Sequence, residues 1–328
     1  MTEIIKAVIF GHAVADALGV PVEFMSRDSL DRDPVVSMRG FGTYNVPAGS
    51  WSDDTSMAIA TLDSLGQGRI DYNDIMDKFV AWANKGEYTP TGWRFDAGCT
   101  CLDAIWNYQK GSSPLKCGIA DDYSNGNGSL MRIHPVALYL YCKGITDARG
   151  IEIIHNVSRL THAHPRSKIA CGIYTFVLWE LLRDPSRASV IRGLRLAADF
   201  YGDSKYSKTE DFLLYERMLL NRIGGINGQG NSSESARSVK REEIKSTGYV
   251  LDTLEATIWC LLTTDSYRDC VLTAVNLGED TDTVAAIAGG LAAALYGYDS
   301  IPDEWLTTLI KRDYIDDLCT TAASAWCR

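Results

Sequence analysis

The chain has 328 residues, 46% hydrophobic and 23% charged, the make-up of an ordinary globular protein with ample apolar material for a core. Lys and Arg number 32 against 42 Asp and Glu, a formal charge of −10, which argues against broad electrostatic capture of nucleic acid or of an anionic membrane. Nine cysteines, an odd number without a CxxC pair, are expected as free thiols in a reducing cytosol.

Apolar residues recur at three- and four-residue spacing and strict alternation is scarce, so the chain reads as nearly all helix, in one domain over 1–328. The first predicted helix, 3–18, lacks the basic start of a signal peptide and carries His12 and Asp16 within its apolar run. No uninterrupted apolar run reaches the roughly 18 residues that span a bilayer, and a cytoplasmic location is expected. Gly11, Ala15 and Gly19 leave one stripe of this helix nearly bare, which predicts close packing against another helix. Helices over 55–66, 72–84 and 99–109 follow. Ser52-Asp53-Asp54-Thr55 opens the first of them, and Asp96-Ala97-Gly98-Cys99 leads into the third. Asp96 is there a candidate general base or sugar ligand, with a plain helix cap as the alternative. Cys99 and Cys101 are too close in sequence for a disulfide or an ordinary metal pair.

Asn125-Gly126-Asn127-Gly128-Ser129-Leu130-Met131-Arg132 precedes a helix over 135–142. Its glycines let the backbone approach a ligand, and nearby amides could bind phosphate; alone, such a run is more often a turn. Helices over 147–160, 166–183, 187–201 and 208–221 come next. His162 and His164 stand before the second of these, and with no third ligand suitably spaced a zinc site gives way to a ligand-contacting or capping histidine. Residues 224–248, rich in Gly, Ser and charge, are predicted to be a mobile loop, either a lid or a disordered excursion. The chain ends with helices over 249–262, 267–277, 283–296 and 303–311. The third of these is opened by Asp280-Thr281-Asp282-Thr283 and has a thin face at Ala288, Gly289, Gly290 and Ala292.

The two acidic clusters carry the chemistry. Asp, Ser and Thr are the usual helix caps, but a cap needs one acceptor, and each cluster offers two carboxylates plus hydroxyls. The helix dipole should keep Asp53, Asp54, Asp280 and Asp282 ionised at neutral pH, and surplus carboxylates repel unless a cation binds between them. Carboxylates with hydroxyls are hard donors suited to Mg²⁺ or Mn²⁺.

The ordered blocks Gly11-x-x-x-Ala15-Asp16-Ala17-Leu18-Gly19-x-Pro21-x-Glu23-Phe24, Trp51 to Thr55, Phe95 to Gly98, Gly126 to Arg132, Thr161-His162, Gly248 to Ala256 and Gly278 to Thr283 resemble the ADP-ribosylglycohydrolases. The resemblance implies an all-α orthogonal multi-helix bundle whose cleft holds two Mg²⁺ or Mn²⁺ ions and the distal ribose of ADP-ribose. It puts metal ligands at Ser52, Asp53, Asp54, Asp280, Asp282 and Thr283, with Asp282 bridging. It puts Glu23 beside the metals, and substrate contacts at Asp96, Gly98, Asn127, Gly128, Ser129, Leu130, His162 and Tyr249, the last stacking on adenine. Ser52 departs from the usual threonine but keeps the hydroxyl.

The implied reaction is hydrolysis of the N-glycosidic bond at ribose C1″ of an ADP-ribosylated protein, with arginine as the expected modified residue. Glu23, Asp54 and Asp96 are the candidates for moving the proton, and the sequence does not choose among them. ADP-ribosyl-serine and O-acetyl-ADP-ribose are alternative substrates. A different class of reading is a non-catalytic binder or immunity protein that occludes an ADP-ribosyltransferase or toxin.

Overall fold

A computed structural model describes residues 1–225 and 232–326. Among these residues are sixteen α-helices, and β pairing is confined to two isolated bridges, Ile119 with His162 and Gly126 with Tyr249. Most buried apolar side chains form one core extending from Ile5 to Trp326, with a small separate cluster of Val20, Val46 and Phe95.

At its centre, helix Thr2–Gly19 lies antiparallel against helix Thr281–Tyr296. The bare stripe explains the pairing. A Cβ on Gly11 would fall 2.6 Å from Gly289 O, and one on Gly19 would fall 2.3 Å from Asp282 Cα, so the two backbones touch where side chains would keep them apart. Thr2–Val22 is long and apolar enough, by length and composition, to cross a bilayer, but 89% of an 18-residue window within it is buried inside the fold. Its composition reflects its place in the core.

Three helices were not expected from the sequence: Arg27–Arg32, Ser232–Ser238 and Arg312–Trp326. The last buries Ile315, Cys319, Ala322, Ala323 and Trp326, an apolar face diluted in sequence by Asp and Thr. The region 224–248, expected to be a mobile loop, contains some regular structure. Residues 226–231 lie outside the described residues, but the remainder includes helix Ser232–Ser238 and a 3₁₀ turn at Arg241–Glu243. Arg27 holds that stretch by donating from Nη1 to Arg241 O at 2.7 Å and from Nη2 to Ile244 O at 2.6 Å. Nε of Arg27 also donates to Leu277 O at 2.8 Å, next to the turn that leads to Asp280.

Candidate active site

The antiparallel central pair brings the end of the first helix beside the start of helix Thr281–Tyr296, and helix Asp53–Leu65 begins against both. Asp16 makes the joint: it accepts from Ser52 N at 2.9 Å, Thr55 N at 3.0 Å and Thr55 Oγ1 at 2.6 Å. After the first helix the chain turns through Pro21 to Glu23 and Phe24. Phe24 and Glu279 both adopt left-handed backbone, each with φ of 65°, a conformation uncommon for side-chain-bearing residues. Two backbone bonds lock these loops together, Phe24 N to Glu279 O at 2.7 Å and Glu279 N to Met25 O at 2.8 Å.

The helix starts separate capping from chemistry. Ser52 is the cap of helix Asp53–Leu65, its Oγ accepting from Asp54 N at 3.2 Å, which leaves Asp53 and Asp54 free of that task. Asp280 occupies the cap position of its helix without making a side-chain cap bond; its Oδ2 instead accepts from Asn127 Nδ2 at 2.7 Å.

Carboxylate oxygens gather in two trios, Asp16 with Asp54 and Asp282, and Glu23 with Asp280 and Asp282, each within 4.8 Å of one another. Asp282 belongs to both. Glu23 Oε2, Asp54 Oδ1 and Asp282 Oδ2 are buried without any hydrogen-bond partner, although buried polar atoms are normally satisfied. Such oxygens around a common centre fit hard cations, and the residues present could hold a metal.

Electrostatics adds a term that the sequence reading left out. Burial foremost, then the charges of neighbouring carboxyls, pushes Asp53, Asp54 and Asp282 well above the ordinary carboxylate range, against the effect of the helix dipole. Glu23 is pushed up to about 9 by burial, then by Asp96 and Asp280. Asp16 rises only to about 6, because the bonds from Thr55 and Ser52 offset its burial. A cation would supply the missing countercharge.

Through Glu23 and Asp280 the second trio opens into a cleft of about 250 Å³. Its polar wall includes Glu23, Asp53, Asp96, Asn127, His162 and Asp280, with Thr283 beside them, and backbone from Gly98, Gly126, Gly128 and Gly248. Asp96 has φ of 45°, and burial raises its carboxyl above the usual range.

Other predicted residues lie elsewhere. Ser52 and Asp54 are behind the wall. Ser129 and Leu130 are buried outside it, Ser129 meeting Cys171 Sγ at 3.6 Å and accepting from Ser158 at 3.0 Å. Tyr249 flanks the cleft beneath Arg166, whose guanidinium lies 5.9 Å from the ring centre. His162 faces the cleft, while His164 caps helix Pro165–Arg183 through its Nδ1, which accepts from Arg166 N at 3.2 Å. Cysteines at 99 and 101 are free thiols.

Asp16 is the residue that site prediction missed. Its signal in the sequence was a carboxylate inside an otherwise apolar helix, which requires buried partners. Tyr44 is a second omission, lying close enough to Glu23 and Asp96 to affect both.

The family model described as ADP-ribosylglycohydrolase matches residues 2–327. ADP-ribosylarginine hydrolase Tri1 of Serratia proteamaculans (strain 568) is 34% identical over 315 residues, covering 95% of this chain and 77% of that protein. ADP-ribosyl-[dinitrogen reductase] glycohydrolase of Rhodospirillum rubrum is 28% identical, covering 91% of this chain and 87% of the relative. A solved structure titled "ADP-ribosylglycohydrolase-related protein complex" superposes with a TM-score of 0.75 at 25% identity, covering 99% of this chain and 98% of its own. The chain belongs to the ADP-ribosylglycohydrolase family.

Proposed function

We propose that the chain is a metal-dependent glycosidic hydrolase that releases ADP-ribose from modified arginine, with two Mg²⁺ or Mn²⁺ ions held by the carboxylate trios. The observation that carries this reading is the sharing of Asp282 between two trios that contain unpartnered buried oxygens. Names of relatives at 34% and 30% identity support arginine as the modified residue. Reversal of modification by a cytoplasmic transferase or toxin is the setting such an enzyme serves.

Asp16, Asp54 and Asp282 would hold one ion and Glu23, Asp280 and Asp282 the other, with Ser52, Asp53 and Thr283 adjacent. Bound cations would supply positive charge to orient ribose hydroxyls and offset negative charge in the reaction. The chain's own part is to enclose the sugar, position the scissile bond and move a proton. Of the three proton-transfer candidates, Asp54 has no exposed surface and stands behind the cleft wall, and Glu23 belongs to a trio. Asp96 remains: it lines the cleft, belongs to neither trio and has a carboxyl that burial keeps prone to hold a proton. Protonation of the departing guanidine is the step that needs such a group as the anomeric centre gains oxocarbenium character.

The test is a panel of ADP-ribosyl-arginine, ADP-ribosyl-serine and O-acetyl-ADP-ribose, assayed with Mg²⁺, with Mn²⁺ and with chelator. Release of free ADP-ribose from the arginine compound, abolished by chelator, is expected. No release from it under any condition overturns the assignment.

A further inference from the structure

Arg132 has no exposed surface, yet its Nε and Nη1 lack hydrogen-bond partners. Its remaining terminal nitrogen, Nη2, donates to Thr161 Oγ1 at 2.7 Å and to Val157 O at 3.3 Å, while the guanidinium lies 4.7 Å from the Phe79 ring centre. Burying a cation against a neutral hydroxyl and a ring is unfavourable by itself. The arrangement makes chemical sense through the next atom in line, because Thr161 Oγ1 is 2.9 Å from His162 Nδ1.

A guanidinium can only donate, so it occupies a lone pair of the Thr161 hydroxyl and leaves that hydroxyl its single proton to give. The Cys101 thiol, the other neighbour of this hydroxyl, directs its own proton to Gly128 O at 3.9 Å and its sulfur is only a weak acceptor, whereas an imidazole nitrogen is a strong one. The hydroxyl proton therefore goes to His162 Nδ1. The positive charge behind Thr161 reinforces this choice, since it favours a lone pair facing it and disfavours an N–H. On the opposite edge of the ring, His162 Nε2 lies 3.8 Å from where a Cβ on Gly126 would stand, in the wall of the cleft.

We propose that Arg132, acting through the Thr161 hydroxyl, fixes His162 as the Nε2–H tautomer, so that the cleft wall presents a neutral hydrogen-bond donor to an acceptor oxygen of bound ADP-ribose. The ligand in this statement rests on the hydrolase reading; the tautomer does not. Burial, and secondarily the Arg132 charge, pushes the His162 imidazolium down to about 3, so the ring stays neutral through the working range and does not act as a proton-transfer acid. Arg132 and Thr161 are positioning residues, and the glycines at 126 and 128 keep the space before the ring clear. A Cβ on Gly128 would fall 2.9 Å from His162 Cε1.

The experiment combines ¹⁵N spectroscopy of the ring nitrogens in the full chain, assigned with His162→Gln, and calorimetric binding of ADP-ribose. The wild type should show one neutral His162 species protonated at Nε2. Thr161→Val should weaken ADP-ribose binding by about three- to tenfold, the loss expected for one oriented hydrogen bond, and Thr161→Ser should restore it. A wild-type ring protonated at Nδ1, or a mixture of tautomers, overturns the proposal whether or not any variant folds. So does unchanged affinity in folded Thr161→Val. Wild-type protein that binds no ADP-ribose would refute the ligand assignment, while its spectrum would still decide the tautomer.

Discussion

Replacing Asp282 by Asn should stabilise the metal-free protein while abolishing its response to metal. Asp282 has no exposed surface, and its carboxylate lies within 4.8 Å of oxygens from Asp16, Asp54, Glu23 and Asp280. Two unit charges at that separation repel by about 3 kcal/mol at an effective dielectric constant near 20. Protonation within the cluster already relieves part of this, so the gain in the variant is expected at about 1–3 kcal/mol. Asn is the appropriate replacement because it keeps an oxygen to accept from Thr283 N, a bond of 2.9 Å in the parent. In a chain this long, about 2 °C of Tm corresponds to each kcal/mol, so chelated variant should melt roughly 2–6 °C above chelated wild type. Added Mg²⁺ should reverse the order, since only wild type gains binding free energy, about 2.7 kcal/mol per site at a hundredfold excess over Kd. Differential scanning fluorimetry in EDTA and across a Mg²⁺ titration reads both effects. Equal melting in EDTA together with equal Mg²⁺ shifts would refute the shared-carboxylate argument.

Above about pH 7 the pH dependence of metal-free wild type has a defined sign. Glu23 has an ordinary value of 4.5 and is raised to about 9 in the fold, so between these values the folded state binds more protons and stability falls as pH rises; the buried His12, His134, His155 and His162, all held below their ordinary value by burial, oppose this in acid, so thermal melts in EDTA should show the decline from about pH 7 to 9, and saturating Mg²⁺ should flatten it. Asp96→Asn should lower kcat by about 10²- to 10⁴-fold, the range of a lost general acid or base, with ADP-ribose affinity within a few-fold of wild type by calorimetry. Gly19→Ala would set a Cβ 2.3 Å from Asp282 Cα and 2.4 Å from Asp282 N, so a loss of at least about 1–3 kcal/mol in denaturant melts should accompany weakened Mg²⁺ binding. Arg27→Ala removes donors to Leu277, Arg241 and Ile244 carbonyls; it should cost about 2 kcal/mol and expose the stretch around residue 241 to limited proteolysis.

Helices with an unbroken apolar period were legible in the sequence, and the small-residue stripes correctly indicated which surfaces approach closely. What escaped were elements whose stability is not local. Arg27–Arg32 has a single buried residue, Leu30, too little to register as a period. Ser232–Ser238 has no apolar stripe in sequence, although Ala236 is fully buried, and the neighbouring 3₁₀ turn is held by Arg27 from more than 200 positions away. Polar composition does not reveal a distant arginine that satisfies backbone carbonyls.

The site shows the same division between local and distant causes. Clusters at 52–55 and 280–283 were visible because each has more acceptors than a helix start requires, and the caps bear this out: Ser52 alone serves its helix, and Asp280 turns instead to Asn127. Local reasoning was incomplete on charge. The helix-start argument counted one dipole per carboxylate, whereas tertiary packing places several carboxyls in one dry space, where repulsion and desolvation outweigh a terminal dipole worth about 0.3–1 kcal/mol. Asp16 shows how the fold tolerates this. It has three donors, all from the start of helix Asp53–Leu65, so its negative charge is stabilised by the element that delivers Asp54 to the same trio. One carboxylate thereby serves as a structural joint and as an edge of the cation site. Its replacement should therefore disturb folding and metal affinity together, in contrast to Asp282→Asn, which separates them.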